Sequence, residues 1–191
     1  MKLKGKRIGY VLTGSFCTFS KTIPVIKELV KNGAEVIPIM SYNSYNLDTK
    51  FGKAQDFIKE IEEITGKKII HTIQEAEPIG PKKITDIMVI APCSGNTISK
   101  LAYDIIDTPA TMAAKSHLRN NKPLVIAVST NKGLGANAES IGRLLYRRNY
   151  YFVPFKQDNP ITKPRSTVAD FNMIIKTIEF ALEGEQISPI I

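Results

Sequence analysis

Ser94, Gly95, Asn96 and Thr97 follow the apolar run Ile87-Met-Val-Ile-Ala91 and the pair Pro92-Cys93. They precede apolar residues at helical spacing, Ile98, Leu101, Ala102 and Ile105. A strand that enters a helix through small and hydroxyl residues is where an open α/β sheet places a ligand. The helix start presents unpaired backbone N–H groups and the positive end of a dipole. Ser94, Asn96 and Thr97 add side-chain donors, and Gly95 allows a flat or anionic group to approach the backbone. The same residues also suit a plain structural turn.

A second turn of this kind follows Arg7-Ile-Gly-Tyr-Val-Leu-Thr13, where Gly14 and Ser15 precede a helical face at Ile23, Ile26, Leu29 and Val30. Ser41 ends Glu35–Met40, and Ser129, Thr130 and Asn131 end Leu124–Val128. Four polar strand ends suggest one shared crevice for a ring and a phosphate. Neither a G-x-G-x-x-G nor a G-x-x-x-x-G-K-[ST] segment occurs, so the dinucleotide fingerprint and the P-loop are both missing. Two separated polar turns suit one phosphate and one ring, hence FMN rather than FAD or NAD.

Other reactive side chains stand alone. Cys17 and Cys93 each fall at an expected helix start, where a thiol pKa can drop; the alternative is two small buried residues. His71 falls in a weak strand and His117 in a helix, positions that suit structural histidines. No metal-ligand spacing and no nucleophile–base pair is legible, and catalytic residues are unassigned.

The elements that must position these residues alternate strand and helix. Strands are expected at about Arg7–Thr13, Glu35–Met40, Ile87–Ala91, Leu124–Val128 and Tyr151–Phe155, with a short one at Lys68–His71. Helices follow the first four, with a further helix from Thr108-Pro109 to about Asn120 and a last one through Phe171, Ile174, Ile178 and Leu182. Lys156–Ser166, polar and containing two prolines, is expected to be a loop that serves as a lid or a partner contact. The fold class is α/β: a single doubly wound, Rossmann-like domain over residues 1–191 with a parallel sheet of five or six strands. Its core should include Ile8, Tyr10, Leu12, Val36, Ile39, Val89, Ile90, Val125, Ile126 and Val153.

Composition agrees with this class. The hydrophobic content is 43% and mean hydropathy is -0.08, with no apolar run near the roughly 20 residues of a membrane helix. Met-Lys-Leu-Lys-Gly-Lys-Arg7 lacks the apolar stretch of a signal peptide, and two cysteines fit a reducing cytoplasm. The net charge is +8, but the lysines are scattered, which speaks for a solvated surface rather than a nucleic-acid stripe. A basic balance also steers small polyanions toward a cleft.

Thr13-Gly-Ser15 together with Ala91-Pro-Cys-Ser-Gly-Asn-Thr97 resembles the flavoprotein family that includes flavin-containing cysteine decarboxylases and flavin prenyltransferases. That family carries a Pro-Ala-Ser-Ala-Asn-Thr turn; Cys93 and Gly95 are the substitutions here. Lys50-Phe-Gly52, Ala76–Pro81, Met88–Ala102, Met112–Lys115, Arg119–Pro123 and Val153–Asp158 extend the likeness over nearly the full length. They resemble one branch, the B subunits of two-subunit oxidoreductases that form dipicolinate for endospores. The resemblance implies FMN as cofactor, held by Gly14, Ser15, Ser41, Ser94, Asn96 and Thr97 with Pro92 and Gly95 in the same turn. Ser129 and Asn131 join that set by position at a strand end. It also implies a separate A subunit similar to nicotinamide-dependent dehydrogenases, a small dicarboxylate substrate and a homo-oligomer; the face Ala110, Met112, Ala113 and Ala114 suits close helix packing there, or within the monomer instead.

Two departures separate the chain from the decarboxylases. Their histidine after strand two is missing from Asn46–Gly52, where Lys50 is the candidate cation for a substrate carboxylate. Their Pro-x-Met-Asn motif is replaced by Val128-Ser-Thr-Asn131. The alternatives that stay open are a self-sufficient FMN-dependent decarboxylase or prenyltransferase on a small carboxylate, and a non-catalytic flavin-binding scaffold.

Overall fold

A computed structural model describes residues 2–191. Its centre is a run of five parallel strands: β1 (Arg7–Leu12), β2 (Glu35–Met40), β3 (Ile87–Ser94), β4 (Leu124–Thr130) and β5 (Tyr150–Phe152). They lie in the order β2-β1-β3-β4-β5. Successive residues of β3 and β4 are buried, so both faces of the sheet are covered. The ten core residues expected from apolar patterning are all buried.

Among the described residues, eight α-helices connect and cover these strands: α1 (Phe19–Lys31), α2 (Tyr42–Asn46), α3 (Ala54–Thr65), α4 (Ile73–Ala76), α5 (Gly95–Ala102), α6 (Pro109–Leu118), α7 (Ala138–Tyr146) and α8 (Ile174–Leu182). Local chemistry sets several of their ends. Gly66 closes α3 in the left-handed region, and Thr108 and Thr111 cap the start of α6 reciprocally with Pro109 in its first turn. Helices α2 and α4 are too short to leave a periodic signal. The expected strand at Lys68–His71 reduces to a single bridge between Ile39 and Ile70.

The polar segment after β5 differs from expectation. It forms an antiparallel hairpin, β6 (Phe155–Asn159) and β7 (Lys163–Ala169), which extends the sheet beyond β4 and makes it seven-stranded. Val168 and Thr167 of β7 pair antiparallel with Ser129 and Thr130 at the end of β4. The two prolines do not prevent this. Pro160 sits in the turn, where the Asn159 side chain accepts from the amides of Ile161 and Thr162. Pro164 lies near a register shift and beyond the reach of β4.

The small-residue face of α6 is also placed differently. Ala110, Ala113 and Ala114 are fully buried within the chain, where α6 packs against α4, β2 and β3. Those three alanines are internal and not available to another copy of the chain, while Met112 of the same face is partly exposed.

Candidate functional site

A parallel sheet of order 2-1-3-4-5 reverses direction between β1 and β3, and ligands bind in the crevice outside the carboxyl ends of those two strands. Thr13 ties the ends together. Its buried hydroxyl donates to the carbonyl of Pro92 at 2.7 Å and accepts from the amide of Ser94 at 2.9 Å. Pro92 is therefore part of the wall behind the crevice rather than its lining.

Ser94 and Ser41 are helix caps. Ser94 accepts from the Thr97 amide at the start of α5, and Ser41 accepts from the Ser44 amide at the start of α2. The hydroxyls of Ser15 and Ser129 meet at 2.7 Å, joining the turn after β1 to the end of β4.

These parts enclose a cavity of ≈ 780 Å³. Gly14, Ser15, Ser41, Ser94 and Gly95 line it, as do Asn96, Thr97, Ser129 and Asn131. The structure thus brings together every candidate cofactor residue except Pro92.

Lys50 is not in that lining. Its ammonium lies 5.2 Å from the centre of the Phe51 ring. Phe51 borders a second, smaller groove of ≈ 360 Å³ beside Phe16, Phe19 and Phe57. The role of substrate cation given to Lys50 is corrected accordingly: position in sequence suggests the strand-two crevice, but the bend at Thr49–Gly52 carries it away.

The cationic side chains that do line the cavity are Lys100 and Lys132. Lys100 donates to both carboxylate oxygens of Asp107 at 2.8 Å. Lys132 has no ion pair among the described residues. Apart from these three, Tyr42 is the one titratable side chain that the described residues place in the lining, and among them no carboxylate or imidazole is free to take a proton.

Asn137, which carries no sequence signal, organises the wall. It donates to the Gly95 carbonyl at 3.1 Å and to Ser99 Oγ at 2.9 Å, and accepts from Thr130 Oγ1 at 2.7 Å. A Cβ on residue 95 would stand 2.4 Å from both Asn137 Oδ1 and Thr130 Oγ1, which accounts for glycine there. Lys100 had a usable signal, since it lies one helical turn after Asn96 on α5.

The remaining reactive groups lie elsewhere. Cys93 is fully buried in β3, and burial pushes its thiol pKa up; the lowered value a helix start would bring is not found. Cys17 is exposed, not buried. His117 is buried, with Nε2 donating to the Pro123 carbonyl at 2.9 Å and Nδ1 2.8 Å from Thr85 Oγ1. His71 stacks on Tyr45 with ring centres 3.9 Å apart.

A model of the Flavoprotein family matches residues 1–157. The chain belongs to the flavoprotein family. This flavoprotein is 48% identical over 189 residues to the B subunit of dipicolinate synthase of Bacillus subtilis (strain 168), a match covering 99% of the chain and 94% of that relative. Its structure is similar to the crystal structure of the dipicolinate synthase B subunit from Bacillus halodurans, with a TM-score of 0.91, 45% identity, and 100% and 97% of the two chains covered. It also shares its fold with the FMN-dependent cysteine decarboxylase SpaF, at a TM-score of 0.69, 21% identity, and coverage of 96% and 98%.

Proposed function

We propose that this flavoprotein binds FMN in the β1/β3 cavity and works as the B component of a cytoplasmic, two-subunit dipicolinate synthase. With an A subunit it would oxidise a dihydrodipicolinate-type intermediate to dipicolinate, the product used in endospores. The observation that carries this reading is the cavity itself: a switch-point crevice lined almost wholly by hydroxyls, amides and glycines. Full-length similarity to dipicolinate synthase B subunits supports the reaction and the partner.

The residues present fit FMN. Ser15, Ser41 and Ser129 are short neutral donors suited to phosphate oxygens. Asn96, Asn131 and the first-turn amides of α5 are donors suited to a ring carrying carbonyls and nitrogens. A Cβ on Gly14 would meet nothing closer than 3.6 Å, so that turn leaves open space. When bound, FMN supplies two-electron redox chemistry through its ring. The chain's own residues bind and orient, because the lining offers no unpaired acid or base. That division of labour favours a partner that completes the site. It also keeps a non-catalytic scaffold as a second reading. The missing histidine and the Val128-Ser-Thr-Asn131 segment count against a self-sufficient decarboxylase or prenyltransferase.

The test is calorimetry of flavin-free protein with FMN, FAD and NAD, followed by dipicolinate formation with each subunit alone and mixed. FMN should bind tightest and product should require both chains. Tighter NAD binding overturns the cofactor, and full activity of this chain alone overturns the two-subunit reading. An A subunit equally active without FMN on its partner leaves only the scaffold.

A further inference from the structure

Among the lining residues, Lys100 and Asp107 form an ion pair inside a cavity whose other residues, Lys132 apart, are neutral. The lysine is the better covered partner: its side chain is 21% exposed and that of Asp107 is 54% exposed. Lys100 follows Asn96 by one helical turn on α5, so both side chains share the face that borders the cavity. Asp107 belongs to the irregular segment between α5 and α6, just ahead of the Thr108 cap. It can turn away without unpicking a helix or a strand. A largely covered ammonium requires an anion beside it, whereas a half-exposed carboxylate is readily returned to water.

We propose that Lys100 is the carboxylate-recognising cation of the cavity and that Asp107 is its internal stand-in, displaced when a small dicarboxylate enters. The idea rests on the proposed dicarboxylate chemistry of the same cavity. Exchange of one carboxylate for another leaves the charge at Lys100 unchanged, so the cost is the release of Asp107 to solvent. A ligand with one carboxylate gains little over the aspartate it displaces. A dicarboxylate reaches a second cation in the same cavity, Lys132, and is selected for that reason. The same ammonium would also suit the phosphate of a mononucleotide, and the two sources make opposite demands on the variants.

The experiment is titration of the full-length protein, with and without FMN, by dipicolinate and by the single-carboxylate control picolinate. Lys100→Ala and Lys100→Gln should weaken dipicolinate by about tenfold or more, the size of one lost charge-assisted contact, and leave FMN affinity within about twofold. Asp107→Asn should tighten dipicolinate and narrow the gap to picolinate, because the competitor is gone. Circular dichroism checks that the variants fold. Unchanged dipicolinate affinity in both lysine variants overturns the proposal, as does weaker binding in Asp107→Asn or no dipicolinate binding by the parent protein. A loss of FMN affinity in Lys100→Gln with dipicolinate unaffected assigns the lysine to phosphate and also overturns it. Failure of the parent to bind FMN counts against the proposed function alone, since the dicarboxylate titration is read without cofactor as well.

Discussion

At the scale of single residues, the lining hydroxyls largely pair with one another, as Ser15 does with Ser129, while Asn96 stands open to a ligand. Asn96 is exposed at the start of α5, whereas the neighbouring Thr97 is buried and spends its amide on Ser94. A ligand covering Asn96 would therefore bury an amide that must be paired. Asn96→Ala is expected to weaken FMN by about 1–3 kcal/mol, the cost of a buried group left unsatisfied, with little change in the stability of the ligand-free protein. Calorimetry and a thermal melt read the two effects separately. Cys93, by contrast, is sealed in the core with its pKa pushed up, so its place beside Ser94 serves packing. Residue type made Ser94, Asn96 and Thr97 legible in the sequence. The burial that separates Asn96 from Cys93 was not legible, because it depends on where β3 ends: Cys93 is still inside the strand, and Asn96 is in the first turn of α5.

At the scale of elements, α5 is aimed by a residue outside it. Asn137, at the start of α7, holds the Gly95 carbonyl and Ser99 and is itself held by Thr130 at the end of β4. The start of α7 and the end of β4 meet the distant α5 at one carboxamide, and no local spacing reveals that long-range contact. The strand–turn–helix units around it were legible, because each repeats an apolar run followed by a polar cap. The hairpin was not: Pro160 and Pro164 signal a loop, and only the pairing of Thr167 and Val168 with β4 shows a strand. Gly95→Ala tests this element directly. Its methyl would press on Asn137 and Thr130 at 2.4 Å, so the start of α5 must shift. The expected cost is about 1–3 kcal/mol in stability, the range for overpacking, together with weaker FMN binding. Removing the Asn137 side chain in the same protein should recover part of the stability, since one of the two obstacles is gone. A variant as stable as the parent in a denaturant titration would show that the wall at residue 95 is soft.

At the scale of the whole molecule, the charge that matters for stability lies at the opposite end of the sheet from the cavity. With the alanines of α6 internal, exposed apolar side chains such as Tyr146 and Ile161 offer surface for a homo-oligomer. Light scattering at micromolar concentration should show more than a monomer, and a monomeric mass would reject that expectation. Near the amino ends of β1 and β3, Asp86 receives Arg7 and Lys122, and these partners hold its carboxyl well below the usual carboxylate range. Beside it, desolvation lowers the pKa of His117 to about 4 from the ordinary 6.5. The hydrogen bonds explain the neutral form. Pro123 has a carbonyl that can only accept, so Nε2 carries the proton and Nδ1 accepts from Thr85. The unfolded chain takes up a proton below pH 6.5, and the folded chain resists doing so until about pH 4. Stability is therefore full above 6.5 and falls between 6.5 and 4, by on the order of 3 kcal/mol from this group. The contribution of Asp86 has the same sign in a lower window, because a lowered carboxylate pKa stabilises above its unfolded value and is lost on further acidification. His117→Gln, which cannot take up a proton, should lose stability at neutral pH yet flatten the dependence between pH 6.5 and 4, while the steeper fall below that range persists. Urea unfolding at half-unit pH intervals measures this, and a variant whose stability falls as steeply as the parent's across that window would show that His117 is not the group responsible.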